Sequence, residues 1–419
     1  MLRVRQYFPD RAVKDISATV ASELRRADFA SKLQPGARVA IGVGSRGIAN
    51  IATIVRAVVD YWKTVGMHPF IFPAMGSHGA ATPEGQAMVL GKYNITEATM
   101  GCPVLSQLEV VSLGTTPEGI VAYLDKLAYE SDGVMLVGRV KWHTDFEGTL
   151  ESGLYKMMAI GLGKFAGAQY YHTFAYKMGL GQMIRSVGRK VLASGKILGG
   201  LAILEDANHT TAQLTAVPVE GMEEQEEKLL ALVKTWQGHV PVKELDILIL
   251  DEIGKDISGA GMDTKVANRG VLGEYNLWHG APRFHRIFIR DLSKNTYGSA
   301  VGMGMADVIN SRILPKIDWV PTQINSLTAS SPQAIRVPCY FPTDRECLER
   351  FQPTVGKHDL NTVTIGRIKN TLSLIDVELS ESLRPEIEAN PALTIVDGPY
   401  DFPLDEAGNM TPLGDSSGH

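Results

Sequence analysis

Cysteine is scarce in this chain, and the few that occur form no recognisable pair. Only Cys102, Cys339 and Cys347 are present, with no CxxC motif. An odd number of cysteines in a chain of 419 residues indicates reduced thiols, as in the cytoplasm. This scarcity argues against a disulfide framework and against a thiolate zinc site.

Long apolar runs and an excess of positive charge are also absent. Lys or Gly interrupts each apolar stretch well before the roughly eighteen residues that a membrane span requires. No long apolar run follows the N-terminal arginines, as it would in a signal peptide. The net charge of -5 gives no general attraction for nucleic acid or for an anionic membrane. We therefore expect a cytoplasmic protein that binds small molecules and neither nucleic acid nor membrane.

The composition that remains is typical of a globular protein, and its pattern predicts an α/β fold. Apolar residues make up 44% of a chain that is too long for one ordinary core. Helical patterns such as 48–65 alternate with strand-like apolar runs at 38–43, 69–74, 133–140 and 197–204. This alternation predicts two α/β domains with mainly parallel sheets.

A domain boundary is predicted where a charged helix, 223–236, is followed by the loop-like segment 237–244. A new strand follows at 246–254, and a further helix is expected near 300–312. We therefore divide the chain into an N-terminal domain, a C-terminal α/β domain and a tail, at 1–238, 239–400 and 401–419. A cleft between the two domains is the expected ligand site.

A glycine-rich turn follows the first of these strands and precedes the helical pattern 48–65. It contains Gly44, Ser45, Arg46 and Gly47. Backbone N–H groups at such a turn can bind a phosphate, and Arg46 adds a positive charge. The sequence completes neither a dinucleotide fingerprint nor a Walker motif, so an ordinary tight turn fits equally well.

Two histidines follow strand-like runs in the same way. His78 lies in Gly76–Gly79, after the run 69–74, and His143 lies in Lys141–Asp145, after 133–140. Ligands of open α/β sheets bind at the carboxyl ends of the strands, so both histidines are expected at that edge. Two imidazoles that titrate near neutral pH suit general acid/base catalysis from two directions.

Three lysines and one more histidine are further candidates for binding or catalysis. Lys156 precedes the apolar segment MMAIGLG, where it is either a snorkelling lysine at a helix end or a functional group. His172 follows, as either a core histidine or a ligand. Lys255 comes after the strand 246–254 and, like Lys141, could bind a substrate carboxylate.

Taken in order, these residues resemble the N-terminal domain of the nickel-dependent lactate racemase family. Any one motif is weak, but five at compatible spacings are fairly specific, and the resemblance covers roughly 35–205. The matching residues are Arg46, His78 in SHGAATPEG, His143 in KWHTDFEG, Lys156 and His172.

The resemblance implies a cofactor as well as a reaction. The cofactor is the nickel-pincer nucleotide (pyridinium-3-thioamide-5-thiocarboxylic acid mononucleotide), made by dedicated cofactor-synthesis proteins and bound in the N-terminal domain. Lys156 matches the lysine that is joined to it as a thioamide, and His172 matches the nickel ligand. Square-planar nickel with sulfur ligands and one imidazole is chemically reasonable. The nucleotide phosphate would lie near Gly44–Gly47.

The implied reaction is inversion of C2 in a 2-hydroxy acid by racemisation or epimerisation. The C2 hydride moves to the cofactor and returns to the other face, while His78 and His143 act as acid and base and Arg46 holds the substrate. The segment before Lys156 is longer than in the family and carries Asp145, Glu147 and Glu151. These acids favour a larger or more polar substrate than lactate, such as a sugar acid.

Two other interpretations fit the same residues. One is a hydrolase or lyase that binds an ordinary divalent metal ion with His78, His143 and His172. The other is a protein without catalytic activity that binds a nucleotide or anion at the turn 42–47.

Overall fold

The structure is a computed structural model that describes residues 1–45, 47–402 and 404–414, without the side chains of His172 and Thr328. The chain divides into two compact units. The N-terminal unit is Asp10–Gln237, and the C-terminal unit combines Met1–Pro9 with Gly238–His419. The division lies one residue from the predicted boundary. The predicted N-terminal domain also included residues 1–9, but the structure assigns their strand, β1 (Leu2–Gln6), to the C-terminal unit.

The N-terminal unit is built on a mainly parallel sheet. Its strands are β2 (Arg38–Val43), β3 (His68–Pro73), β4 (Val110–Thr115), β5 (Val121–Asp125), β6 (Gly133–Arg139), β7 (Ile197–Glu205) and β8 (Thr211–Pro218). The sheet order is β3-β2-β6-β7-β8, in which only the β7–β8 pair is antiparallel. Strands β4 and β5 form a separate antiparallel pair.

Helices cover both faces of this sheet. They are α1 (Ile16–Ala27), α2 (Ile51–Thr64), α3 (Pro83–Lys92), α4 (Glu97–Met100), α5 (Lys126–Tyr129), α6 (Leu154–Lys156), α7 (Lys164–Met178), α8 (Leu180–Leu192) and α9 (Met222–Lys234). Successive strand residues enter opposite apolar cores: Ala40 joins one, and Val39 and Ile41 join the other. Because both of their faces are buried, β2, β3, β6 and β7 are continuous apolar runs, which is why the sequence pattern predicts them. The pattern does not predict β4, β5 and β8, which are only partly buried.

The C-terminal unit contains a sheet of parallel and antiparallel pairs. Its strands are β9 (Glu244–Leu250), β10 (Arg283–Ile289), β11 (Val308–Asn310), β12 (Cys339–Phe341), β13 (Ile365–Ile368), β14 (Asp376–Leu379) and β15 (Leu393–Asp397). The order is β12-β11-β10-β9-β13-β14-β1-β15, with parallel pairing from β12 to β13. Its helices are α10 (Trp319–Thr328), α11 (Asp344–Phe351) and α12 (Arg384–Glu388). Both units are therefore α/β, as predicted.

The helix predicted near 300–312 does not form. The chain there makes short 3-10 turns and then β11, which pairs with β10. Gly298 (φ 79°) and Gly302 (φ 101°) adopt left-handed backbone conformations that an α-helix excludes. The apolar residues of this segment are buried by tight turns, whose spacing resembles that of a helix.

The tail contacts the C-terminal unit at Met410, Thr411 and Leu413. The Arg290 and Arg367 guanidinium groups donate to the carbonyls of Met410 and Thr411. The Leu413 N–H donates to Asp251 Oδ2 at 2.7 Å. Among the described residues, no helix combines the length and apolar character needed to cross a bilayer.

Candidate active site

The strands of the N-terminal unit direct three loops to one edge of the sheet. Strands β3, β2 and β6 are parallel neighbours that end at Pro73, Val43 and Arg139. The loops that follow β3, β2 and β6 contain His78, Ser45 and His143, respectively. Since parallel strands share a carboxyl edge, all three loops leave the sheet on the same side, which is the usual ligand-binding side of such sheets.

The first loop brings Ser45 into contact with His78. The Ser45 hydroxyl hydrogen-bonds to His78 Nδ1, and the Tyr93 hydroxyl donates to the Ser45 carbonyl at 3.0 Å. Apart from the two neighbours of Gly44, no described residue has an atom within 4 Å of the position where a side chain at Gly44 would begin. The loop is therefore fixed at Ser45 and open at Gly44. Arg46 lies outside the described residues.

Helix α2 begins later than the sequence pattern predicts. Its first residue is Ile51, and the preceding Asn50 has a left-handed backbone (φ 59°). The Ala49 N–H donates to Glu205 Oε1 at 2.6 Å, and Arg139 pairs with the same carboxylate. The Glu205 carboxylate therefore already occupies the position in front of the helix N-terminus where an anion could bind. An anion near Gly47 would therefore have to bind the N–H groups of the loop itself.

Hydrogen bonds anchor the backbone of the second loop, while the His78 side chain is exposed. Gly76 and Gly79 have φ values of 59° and 65°, and Ala80 and Ala81 are also left-handed. The buried Gln86 amide donates to the Gly76 carbonyl at 2.8 Å and to the His78 carbonyl at 3.3 Å. The loop backbone is thus anchored from the protein interior while the imidazole is exposed.

The third loop buries His143 and fixes its tautomer. Its Nδ1 accepts the Asp145 N–H at 3.0 Å, so the neutral imidazole carries its proton on Nε2. The ring stacks against Phe146 at 4.6 Å between centroids. Lys141, two residues earlier, is half-buried and pairs through its backbone with Ser152.

Glu151 supports this loop from the inside. Its carboxylate accepts the His143 N–H and the Gly148 N–H, and it pairs with Lys234. The Glu151 residue is only 1% exposed. Of the three acids in the segment, Asp145 and Glu147 are exposed, whereas Glu151 is part of the supporting structure.

Lys156 ends the short helix α6 and is followed by a π-helical turn, Met157–Gly161. A side chain at Gly138 on β6 would collide with Met157, and the Gly76 N–H donates to the Gly161 carbonyl at 3.4 Å. The segment after Lys156 therefore packs on β6 and on the loop of His78. Lys156 is half-buried, with buried Tyr155 and Met158 nearby in the chain.

The start of α6 is capped by a residue that the sequence pattern does not reveal. Glu226, on α9, accepts the Tyr155 N–H at 3.0 Å. Its residue is 1% exposed, and burial raises the pKa of its carboxyl to about 7. Its Oε1 has no hydrogen-bond partner among the described residues. The signal in the sequence is slight, because Glu226 is one of several acids in EEQEEK.

The remaining candidates are not brought into this group by the described structure. His172 lies on α7, but its side chain is outside the described part of the chain. Lys255 belongs to the C-terminal unit, where its Nζ donates to the Gly259 carbonyl at 2.7 Å. Within the described residues, no three His, Cys, Asp or Glu side chains form a possible metal site.

Comparisons with known proteins report on the N-terminal domain and on the fold. The model of the lactate racemase N-terminal domain matches residues 4–179. A solved structure, the lactate racemase apoprotein from Thermoanaerobacterium thermosaccharolyticum, is similar with a TM-score of 0.50 at 13% identity. The alignment covers 89% of this chain and 99% of that one, and at this identity it supports the fold alone. No curated protein matches the chain.

Proposed function

We propose that the chain, whose residues 4–179 match the model of the lactate racemase N-terminal domain, is a nickel-pincer-dependent racemase or epimerase. Its substrate would be a 2-hydroxy acid that is inverted at C2. The observation that supports this most directly is the common sheet edge of His78 and His143. Lys156 lies in the same region, because the π-helical turn that follows it contacts the loop of His78.

The residues present fit the cofactor that this family uses. Lys156 is half-buried at a helix end, where its amine can reach out of the core as a tether. The open space at Gly44 suits the close approach of a phosphate to Gly44–Gly47. We assign His172 as the nickel ligand. When bound, the cofactor would supply a hydride acceptor for C2.

The protein side of the reaction would be proton transfer by the two imidazoles. In both histidines Nδ1 forms a hydrogen bond. The partner is the Ser45 hydroxyl for His78 and the Asp145 N–H for His143. We therefore assign Nε2 of each ring to exchange a proton with the substrate hydroxyl. Neutral His143 carries its proton there, so it starts as the acid, whereas the Ser45 hydroxyl can donate or accept and leaves His78 able to start as the base.

Substrate binding would fall to the cationic side chains. Arg46 is assigned to hold the substrate, and Lys141 and Lys255 are candidates for its carboxylate. The exposed Asp145 and Glu147 favour a polar 2-hydroxy acid over lactate, because carboxylates accept hydrogen bonds from additional hydroxyls. Glu151 gives this argument no support, since it is buried against the backbone. We place the enzyme in the cytoplasm.

Mass spectrometry of protein made in cells that also synthesise the cofactor tests this proposal. We expect a sulfur-containing nucleotide adduct on the Lys156 peptide and about one nickel per chain. Lys156→Ala should lose both the adduct and the nickel. The control is Lys177→Arg, an exposed position on α7 that should retain both.

Two outcomes would contradict the proposal. An unmodified Lys156 in such cells would exclude the tethered cofactor. Metal that is retained by Lys156→Ala would instead favour an ordinary metalloenzyme. If the adduct is found, a panel of 2-hydroxy acids then tests the substrate class, and turnover of lactate alone would exclude the sugar-acid proposal.

A further inference from the structure

A buried lysine lies behind the loop that carries His78 and has no part in the chemistry assigned above. Lys164 Nζ donates to the Pro73 carbonyl at 2.9 Å and to Gln86 Oε1 at 2.7 Å, and lies 3.4 Å from Asp125 Oδ2. The Lys164 and Asp125 side chains are 0% and 1% exposed. The Pro73 carbonyl and Gln86 Oε1 accept hydrogen bonds from Nζ, and the Asp125 carboxylate adds an ion-pair contact. The geometry is therefore that of a charged, internal ion pair.

Burial of Lys164 and Asp125 disfavours the charged form of each side chain. Burial lowers the pKa of Lys164 and raises the pKa of Asp125, while their mutual attraction acts the other way. Lys164 also has a left-handed backbone (φ 53°), a conformation that strains any residue other than glycine. The left-handed residue is Lys164 itself and not the preceding Gly163, in which the same conformation would cause no strain.

Gln86 connects this pair to the loop of His78. Its Oε1 accepts from Lys164, while its Nε2 donates to the carbonyls of Gly76 and His78. A rotated amide would place its NH2 group against the ammonium and its oxygen against two carbonyls. Lys164 therefore fixes the orientation of the Gln86 amide, and the amide fixes the backbone on which His78 stands.

Asp125 anchors the other end of the pair. It is the last residue of β5, and its Oδ1 accepts from the Ala128 N–H at 3.2 Å and from Gln107 Nε2 at 3.0 Å. The contacts thus run without a gap from β5 through the start of α7 and Gln86 on α3 to the loop of His78.

We propose that Lys164, Asp125 and Gln86 form a positioning network, the His78 brace, that holds the His78 imidazole in its reactive place. None of the three is assigned contact with substrate, and they act through the loop backbone. This inference rests on the proposed function, because that function gives His78 its role in proton transfer.

Two variants of the chain test the brace without leaving a buried charge unpaired. Lys164→Met with Asp125→Asn removes both charges together, since removal of one would leave the other unpaired in the core. Gln86→Met keeps both charges of the ion pair and removes the amide that accepts from Lys164 and donates to the loop. The matched control is Lys357→Met with Asp246→Asn, which removes a lysine–aspartate pair (2.6 Å) from the C-terminal unit.

Kinetics of the loaded enzyme supply the first readout. We expect kcat to fall about tenfold or more in both brace variants, with KM changed less than twofold, because a misplaced acid/base group slows proton transfer. The Lys156 adduct and nickel content should stay the same. In a His78→Ala background, the brace substitutions should cause no further loss of kcat.

Nitrogen NMR of the His78 ring in protein without cofactor supplies a second readout. The ring shifts report which nitrogen carries the proton, and they should change in both brace variants and remain unchanged in the control. This readout needs no activity. It therefore tests the brace even if Lys156 carries no adduct and the proposed function fails.

The brace is overturned if folded Gln86→Met protein retains the parent kcat and His78 ring shifts. It is also overturned if the brace substitutions lower kcat by the same factor with and without His78. That second result would assign the network a general structural role.

Discussion

At the scale of single residues, the contact between Ser45 and His78 adds a second role to the one that the sequence alone suggests for Ser45. The glycine-rich pattern predicts that Ser45 lines a phosphate site. In the structure its hydroxyl holds His78 Nδ1, and the loop is in turn fixed by Tyr93. Partners of this kind select the tautomer and the orientation of a catalytic imidazole.

Ser45→Ala tests this contact. We expect about a tenfold fall in kcat, because the His78 ring loses the partner that orients Nε2. Binding of the cofactor should change much less, and steady-state kinetics with metal analysis measures both. Ser112→Ala, at an exposed position on β4, is the control and should behave like the parent. Unchanged kcat in Ser45→Ala would exclude an orienting role.

The sequence identifies His78, His143 and Lys156 as candidates because each follows or interrupts a clear apolar pattern. It does not identify Gln86, Glu226 or Lys164, whose importance depends on contacts with distant segments. Lys164 is 78 residues from Gln86 in the chain, and no local pattern reports such a contact. Buried polar residues on helices look like ordinary surface positions in a sequence. Their partners become visible only in the folded structure.

At the scale of elements, the cap of α6 links the helix that carries Lys156 to the pH of the solution. Glu226 is buried, and its pKa is raised from 4.5 to about 7. Between these values the folded state binds more protons than the unfolded state. The contribution of Glu226 to stability is therefore greatest below pH ~4.5 and decreases as the pH rises toward about 7, with a total effect on the order of 3 kcal/mol.

Glu226→Gln should remove this dependence, since an amide cannot ionise and its oxygen can still accept the Tyr155 N–H. We expect the unfolding free energy of the variant to exceed that of the parent increasingly from pH 5 to about 7. Urea unfolding at several pH values measures the difference. Glu224→Gln, an acid in the first turn of the same helix, is the control. A difference that does not vary with pH would contradict the assignment.

Elements are predicted well where their pattern is local. Strands β2, β3, β6 and β7 follow from apolar runs that are buried on both faces, as in Arg38–Val43, whereas the partly buried β4, β5 and β8 are not predicted. The predicted helix near 300–312 is wrong because left-handed Gly298 and Gly302 impose turns. The start of α2 is displaced to Ile51 by the left-handed Asn50 and by the Glu205 carboxylate at Ala49. Neither effect is visible in the spacing of apolar residues.

At the scale of the whole molecule, the first strand joins the last part of the chain. Strand β1 lies between β14 and β15 and pairs with both in antiparallel fashion. Leu2 and Val4 are completely buried, and Arg5 pairs with Asp376 at 2.9 Å. Sequence adjacency assigns residues 1–9 to the N-terminal domain, because partners that are so distant in the chain leave no local signal.

Leu2→Ala with Val4→Ala therefore should weaken the C-terminal unit. We expect a loss of about 2 kcal/mol or more, since both substitutions open cavities beside β14 and β15. Hydrogen exchange should increase in β14 and β15 while β2 and β3 keep the protection of the parent. Tyr7→Ala, at an exposed position beyond the strand, is the control. Increased exchange in β2 and β3 alone would contradict the assignment.

The position of β1 also determines the order in which the protein can be completed during synthesis. Arg5 leaves the ribosome 371 residues before Asp376, a delay of roughly 20–75 s at ordinary translation rates. The N-terminal unit can fold within this interval, while a strand with two apolar side chains waits for its neighbours. A chain whose synthesis stops before residue 376 would retain that strand without its β14 partner. Nascent chains of this protein are thus expected to need protection from aggregation until β14 and β15 have been synthesised.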